Sequence, residues 1–164
     1  MARILDAACR CGAVRFTVKS HSVYPYQLCY CSICRKTDGG GGYAINLMGD
    51  ASSLKVRGSK DIGIYHARIR DRRGHCRTSS GRRHFCRRCA TALWLDDPQW
   101  PELVHPFASA VDTPLPVPPS RVHLMLRFKA PWVVPHFGRG DAKFQGYPDL
   151  SIEAWHRRRG LWED

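Results

Sequence analysis

Residues 13–19, AVRFTVK, alternate apolar and polar side chains, and Val14, Phe16 and Val18 fall on one face. That period of two is the signature of a half-buried β-strand. YAINLM (43–48), SLKV (53–56) and IGIYHA (62–67) read as further short strands, punctuated by Gly, Asp and Ser clusters. RHF leads as a strand into Cys86, and TALWL (91–95) leaves Cys89 as another. ELVHPFASA (102–110) and VHLMLRF (122–128) complete the expected strands.

TPLPVPPS (113–120) carries four prolines in eight residues. Proline has no N–H for a ladder, so the segment reads as an extended surface connection. Near the end, DLSIEAWHRRRG predicts one short helix. Ser151 is its N-cap, Ile152 and Trp155 lie three apart on one face, and Gly160 ends it. Strands therefore dominate. The expected fold is mainly β: a small, mostly antiparallel fold with few short helices, pinned by metal-binding cysteine turns. Its 164 residues suit a single domain, residues 1–164, with the proline-rich stretch as an internal connection.

A hydrophobic fraction of 43% and a charged fraction of 24% are ordinary for a globular protein. No apolar run approaches the roughly 20 residues of a membrane span. MARILDAACRCG lacks the apolar core of a secretory signal, so a cytoplasmic location is expected. In a reducing compartment, eight cysteines point to metal or redox chemistry rather than a disulfide framework.

Seven of those cysteines fall into three clusters: Cys9 and Cys11 in CRCG, Cys29, Cys31 and Cys34 in CYCSIC, and Cys86 and Cys89 in FCRRC. One close pair cannot close a tetrahedron around zinc. The two outer pairs together can, and Cys9, Cys11, Cys86 and Cys89 would make a closed site of four thiolates. Such a site would tie the first strand to the hairpin around Cys86. The middle cluster offers three local thiols. Structural zinc sites are closed, whereas catalytic ones keep a position for substrate or water, so a division of four and three hints at one structural and one catalytic Zn2+. From spacing alone two other readings stand. Cys76, His66, His75 or His84 would close the middle site and make it structural, or Cys31 and Cys34 would act as a redox CxxC pair. Cys76 reads as a spare thiol in a polar loop.

The formal net charge is +12, and stays near roughly +9 when two zinc–thiolate sites are allowed for. Local basic clusters lie at 68–73, 82–88 and 156–159. A solvated surface, a nucleic-acid surface and attraction of a small acidic substrate all accord with this balance. Arg35 and Lys36 directly follow Cys34, and TDGGGGY (37–43) would let backbone approach a ligand. Phe85, Trp94 and Trp132 are candidate pocket walls.

In order, CRCGAVRF, CYCSICRKTDG and RHFCRRCATAL resemble the three zinc motifs of the glutathione-dependent formaldehyde-activating enzyme family, which includes centromere-protein-V-like members. PW (131–132) and GYPDLSIEAWH (146–156) extend the resemblance over residues 8–156. The resemblance implies a zinc-stabilised β-tent fold. It implies a structural zinc on Cys9, Cys11, Cys86 and Cys89, and a catalytic zinc on Cys29, Cys31 and Cys34. It also implies a carbon–sulfur lyase that forms or cleaves S-(hydroxymethyl)glutathione, with glutathione or a related thiol as the partner. The alternative function is a non-catalytic zinc module that binds nucleic acid through its basic surface. One departure is visible: Ala90 stands where the third motif of the family has Gly. Alanine fits there without strain if φ stays negative, so a slightly different turn is expected.

Overall fold

The computed structural model describes residues 1–71 and 73–164; Arg72, part of the basic cluster 68–73, lies outside the described residues. In chain order the strands begin with β1 (Arg3–Ala8), β2 (Arg15–Ser20) and β3 (Gln27–Cys29), followed by helix α1 (Ser32–Thr37). Next come β4 (Ala44–Ile45), β5 (Gly49–Asp50), β6 (Lys55–Arg57), β7 (Ile62–Arg70) and β8 (Cys76–Cys86). The chain ends with β9 (Ala92–Asp96), β10 (Leu103–Pro106), β11 (Val122–Leu124), β12 (Ala142–Lys143) and helix α2 (Ile152–Arg158).

These strands form three small sheets, ordered β1-β2-β6, β5-β10-β9-β8-β7 and β12-β11-β3-β4. The fold is thus mainly β, as expected. Pairing is antiparallel throughout the first two sheets. In the third, β11 runs parallel to both β3 and β12.

Alternation along β2 places Phe16 and Val18 in the core beside Val14. Leu5 of β1, Leu93 and Trp94 of β9 and Val104 of β10 are among the residues that join them, so the first two sheets bury one another's inner faces. A second cluster of Cys29, Cys34, Ala44, Ala92, Phe107 and Leu124 joins the second sheet to the third. The middle cysteines sit in this seam.

Three expected strands are shorter than their patterns. The segment 43–48 leaves β3 after Ile45: Asn46 bridges Phe107, Leu47 N–H donates to Pro106 O at 2.8 Å, and Met48 bridges Ser22. It crosses between sheets, so its apolar run serves several partners. After β10, Ala108–Ala110 close into a 3-10 turn. After β11, Met125 adopts φ +61° and Leu126–Phe128 form another. A left-handed residue cannot continue a strand. Cys76, expected in a loop, instead begins β8, opposite Arg70 and exposed to solvent.

The expected C-terminal helix is present. Ser151 Oγ accepts the Ala154 N–H at 3.1 Å, Trp155 is buried, and Gly160 adopts φ +64° beyond the last turn. Helix α1 has no periodic signal in its six residues. Among the described residues no helix is long and apolar enough to cross a membrane.

Candidate metal centres

The turn between β1 and β2 carries Cys9 and Cys11. Gly12 takes φ +75° and its N–H donates to Cys9 O at 2.9 Å, which closes the turn. The turn between β8 and β9 carries Cys86 and Cys89. There Ala90 N–H donates to Cys86 O at 2.8 Å and Cys86 N–H to Thr91 O at 2.9 Å. The sulfurs of Cys9, Cys11, Cys86 and Cys89 all lie within 4.8 Å of one another.

The Sγ atoms of Cys9 and Cys11 are 3.5 Å apart, and those of Cys11 and Cys86 are 3.8 Å apart. A tetrahedron with zinc–sulfur arms of about 2.3 Å has edges of about 3.8 Å, so the donor set fits zinc. Two of the thiols are drawn toward the charged form, whereas the hydrogen bonds shared with Cys9, Cys89 and Cys86 push Cys11 up to about 11. Hydrogen bonds from the Thr91 hydroxyl and backbone bring Cys89 down to about 5. Burial pushes Cys9 up, but the Val14 N–H, 3.2 Å from its sulfur, and the neighbouring thiols prevail and lower it.

Ala90 sits at φ +60°, so the condition of a negative φ is not met and the expectation of a different turn is corrected. The turn has the left-handed geometry that glycine would supply, and the alanine side chain is held in it.

The middle cluster is built differently. Cys29 ends β3, and Cys31 follows two residues later on the same side of extended chain. Cys31 then N-caps α1, its Sγ accepting the Cys34 N–H at 3.3 Å. One turn of helix returns Cys34 to the same point, and the three sulfurs lie within 4.8 Å of one another. Hydrogen bonds from Cys29 and Cys34, with the N–H of Cys34, hold the Cys31 thiol far below its ordinary value. The Cys29 thiol is pushed up, first because it donates to Cys31 and Cys34 and then by burial.

Among the described residues, no fourth Cys, His, Asp or Glu joins this group. The candidates named from spacing are engaged elsewhere. His66 Nδ1 meets Ser79 O at 3.1 Å, His75 pairs with Asp71 at 3.2 Å, and His84 Nε2 pairs with Asp96 at 2.9 Å while its ring stacks on Trp94. Cys76 belongs to neither cysteine group.

Beside the three sulfurs lies a cavity of about 220 Å³, lined by Thr37, Tyr65, Arg83, Phe85, Ala92 and Phe107 among others. Arg83 links cavity and cysteines. Its guanidinium donates to Cys34 Sγ at 3.6 Å and Thr37 Oγ1 at 3.4 Å, and stands 5.9 Å from the centre of the Phe107 ring. Among the described residues no carboxylate pairs with it, whereas its neighbour Arg82 is paired with Asp96. Tyr147, exposed on the C-terminal loop, has its hydroxyl pushed up by desolvation and then by the negative charge of Cys29, Cys31 and Cys34.

The other sequence candidates divide. Phe85 lines the cavity. Trp94 is core, edge-on to Phe16 at 4.9 Å, and Trp132 is exposed. Lys36 is exposed, and Arg35 is half-buried with its Nε lacking a partner among the described residues. Of the glycine run, Gly39 packs against helix α1, while Gly42 faces Val133 and Trp132. A Cβ on Gly39 would lie 2.6 Å from Arg35 Cα and from Tyr43 O. Arg83, Thr37, Phe107 and Tyr147 were not singled out from sequence. For Arg83 the available signal was alternation along RRHFC, which sets it on the same side of the strand as Phe85.

The sequence pattern of the glutathione-dependent formaldehyde-activating enzyme family matches residues 4–126. A Halomonas elongata protein named for the same family is 59% identical over 160 residues, which cover 98% of this chain and 99% of that one. A crystal structure of a Rhodobacter sphaeroides protein matches with a TM-score of 0.51 at 24% identity, over 68% of this chain and 91% of the other; this likeness concerns the fold.

Proposed function

The chain belongs to the glutathione-dependent formaldehyde-activating enzyme family, and from that premise we propose that it is a zinc-dependent carbon–sulfur lyase that forms or cleaves S-(hydroxymethyl)glutathione or a related thiol adduct. Residues 1–164 act in this reading as a single zinc-binding domain. Cys9, Cys11, Cys86 and Cys89 hold a structural zinc, and Cys29, Cys31 and Cys34 hold a catalytic one.

One observation carries the reading. Four thiols converge in one group and three in the other, with no further donor in the second among the described residues. A bound zinc in the three-thiol group would supply positive charge and a fourth position for the substrate sulfur.

The chain's own residues supply the rest. The cavity beside Cys34 accepts the body of the thiol, with Phe85 and Phe107 as apolar walls. Arg83 offers its guanidinium to a substrate carboxylate at the cavity edge. In the forward direction the thiol proton leaves, the thiolate sulfur attacks the formaldehyde carbon, and the resulting alkoxide takes up a proton. Cleavage is the same path reversed.

The test is Cys31→Ser, followed by the rate at which formaldehyde and glutathione exchange with their adduct, measured by NMR. The variant should lose the acceleration over the uncatalysed exchange while keeping its fold. Retained acceleration would remove the middle cysteines from the reaction.

A second reading is favoured by exposed Arg68, Arg70 and Arg77 on the two-stranded β7–β8 ribbon. It is a non-catalytic module that binds nucleic acid. Its affinity would fall linearly with the logarithm of salt concentration and would be indifferent to Cys31→Ser.

A further inference from the structure

Tyr30 lies between Cys29 and Cys31, and the two-residue alternation of extended chain turns its ring away from their sulfurs. The ring is almost fully buried, at 1% exposure. Its hydroxyl meets His123 Nδ1 at 2.9 Å, and His123 Nε2 meets Asp141 Oδ2 at 3.2 Å. The side chains of His123 and Asp141 are 1% and 2% exposed. A Tyr–His–Asp chain is thus sealed behind the middle cysteines, where it can touch no substrate.

Every member of the chain is satisfied. Asp141 accepts the N–H of Arg121 at 2.7 Å and of Gly138 at 2.8 Å, in addition to His123. A carboxylate so placed accepts, so His123 Nε2 carries the proton that it donates. With the ring N–H on Nε2, Nδ1 is the acceptor for the Tyr30 O–H. The opposite tautomer would set a bare ring nitrogen against the carboxylate. The backbone runs the same way: Tyr30 N–H donates to Leu124 O at 3.1 Å, and His123 lies opposite Leu28 in the parallel β3–β11 pair. His123 also stacks on the Tyr30 ring, 5.8 Å between centres.

Fully satisfied buried networks fix one geometry, because any displaced member leaves a polar group without a partner. We propose that Asp141, His123 and Tyr30 form a positioning relay that fixes the segment Cys29–Cys31, so that its two sulfurs converge with Cys34 on one metal ion. All three are positioning residues. The relay runs from the β11–β12 edge of the third sheet to the cysteines, and it rests on the reading of Cys29, Cys31 and Cys34 as a metal site. The outer four cysteines lie on other turns and serve as an internal control.

The experiment measures zinc release from the purified holoprotein to a chromogenic chelator. It compares the wild type with Tyr30→Phe, which keeps the ring, and with His123→Gln. The wild type should release zinc in a fast phase, from the middle site, and a slow phase, from the outer site. Each variant should accelerate the fast phase by about 10-fold and leave the slow phase unchanged. The double variant should release it no faster than the worse single variant, as expected of a chain that acts as one unit. Cobalt loaded into the emptied middle site should show shifted ligand-field bands in both variants. Unchanged fast phases in both variants overturn the proposal. Equal acceleration of both phases overturns it too, because that is plain loss of stability. A wild type that binds zinc only at the outer four cysteines sinks the middle site itself, and the relay with it.

Discussion

Arg83 donates to the sulfur of Cys34 at 3.6 Å, reaching from β8 across to α1. This contact joins the cavity wall to the three-thiol group. It sets a cation, with no carboxylate partner among the described residues, beside the three sulfurs that the proposed reaction would use. A hydrogen bond from a charged donor to a carboxylate contributes about 1.5–3 kcal/mol.

Arg83→Ala is therefore expected to raise KM for glutathione by about 10-fold or more. Arg83→Lys should recover part of the loss through charge alone, because a lysine ammonium cannot reproduce the guanidinium fork. A thiol without carboxylates should react at similar KM in wild type and variant. Steady-state kinetics with both thiols decide the matter: an equal loss for each would assign Arg83 to Cys34 rather than to substrate.

The two cysteine groups should also separate under substitution. A closed structural zinc contributes on the order of 10 kcal/mol to folding, as much as the whole net stability of a typical domain. Cys86→Ser should leave the chain unfolded or aggregated at about 25 °C. Cys31→Ser should keep a native circular-dichroism spectrum and about one zinc per chain. Metal analysis and thermal melts check both. If Cys31→Ser unfolds as Cys86→Ser does, the middle site is structural.

Ala90 gives a prediction about stability alone. Its φ of +60° costs an L-residue about 1–2 kcal/mol relative to glycine, partly offset by the greater freedom of glycine in the unfolded chain. Ala90→Gly should stabilise by about 0.5–1 kcal/mol and raise Tm by roughly 1–4 °C at this chain length. Calorimetry reads it, and an unchanged or lowered Tm would refute the strain.

Much of this could be read from the chain beforehand, and the reasons differ by element. Val14, Phe16 and Val18 announce β2 because one sheet face is buried and the other is not. The cysteine clusters announce their groups because ligand spacing is local within each turn. The segments 43–48 and 122–128 misled because they change partner or direction partway, at Asn46 and Met125, where apolar patterning carries no mark. Helix α1 was hidden because a capped turn of six residues has too few positions to show a period. Arg83 and the Tyr30–His123–Asp141 chain depend on contacts between residues at least 18 positions apart. Alternation along RRHFC sets Arg83 beside Phe85, but no local pattern encodes its contact with Cys34 or the Tyr30–His123–Asp141 contacts.

His156 and His105 set how the protein responds to acid. His156 is fully buried; its Nδ1 donates to Ile152 O at 2.7 Å, and its Nε2 has no partner among the described residues. A proton on Nε2 would have no acceptor, so the folded ring is neutral, and burial lowers its pKa. Burial lowers His105 as well, against the hydrogen bond from its Nδ1 to Leu47 O at 3.0 Å. Unfolded, both would bind protons near about pH 6.5. The unfolded chain therefore binds more protons below that pH, and stability falls as pH drops from about 6.5 toward the folded-state values. Each ring contributes a slope of at most about 1.4 kcal/mol per pH unit in this window, and none above it. NMR titration of the folded protein should place the His156 midpoint below the ordinary value of about 6.5, and urea midpoints at about pH 7, 6 and 5 should decline in that order. A His156 midpoint at or above about 6.5 would refute the assignment.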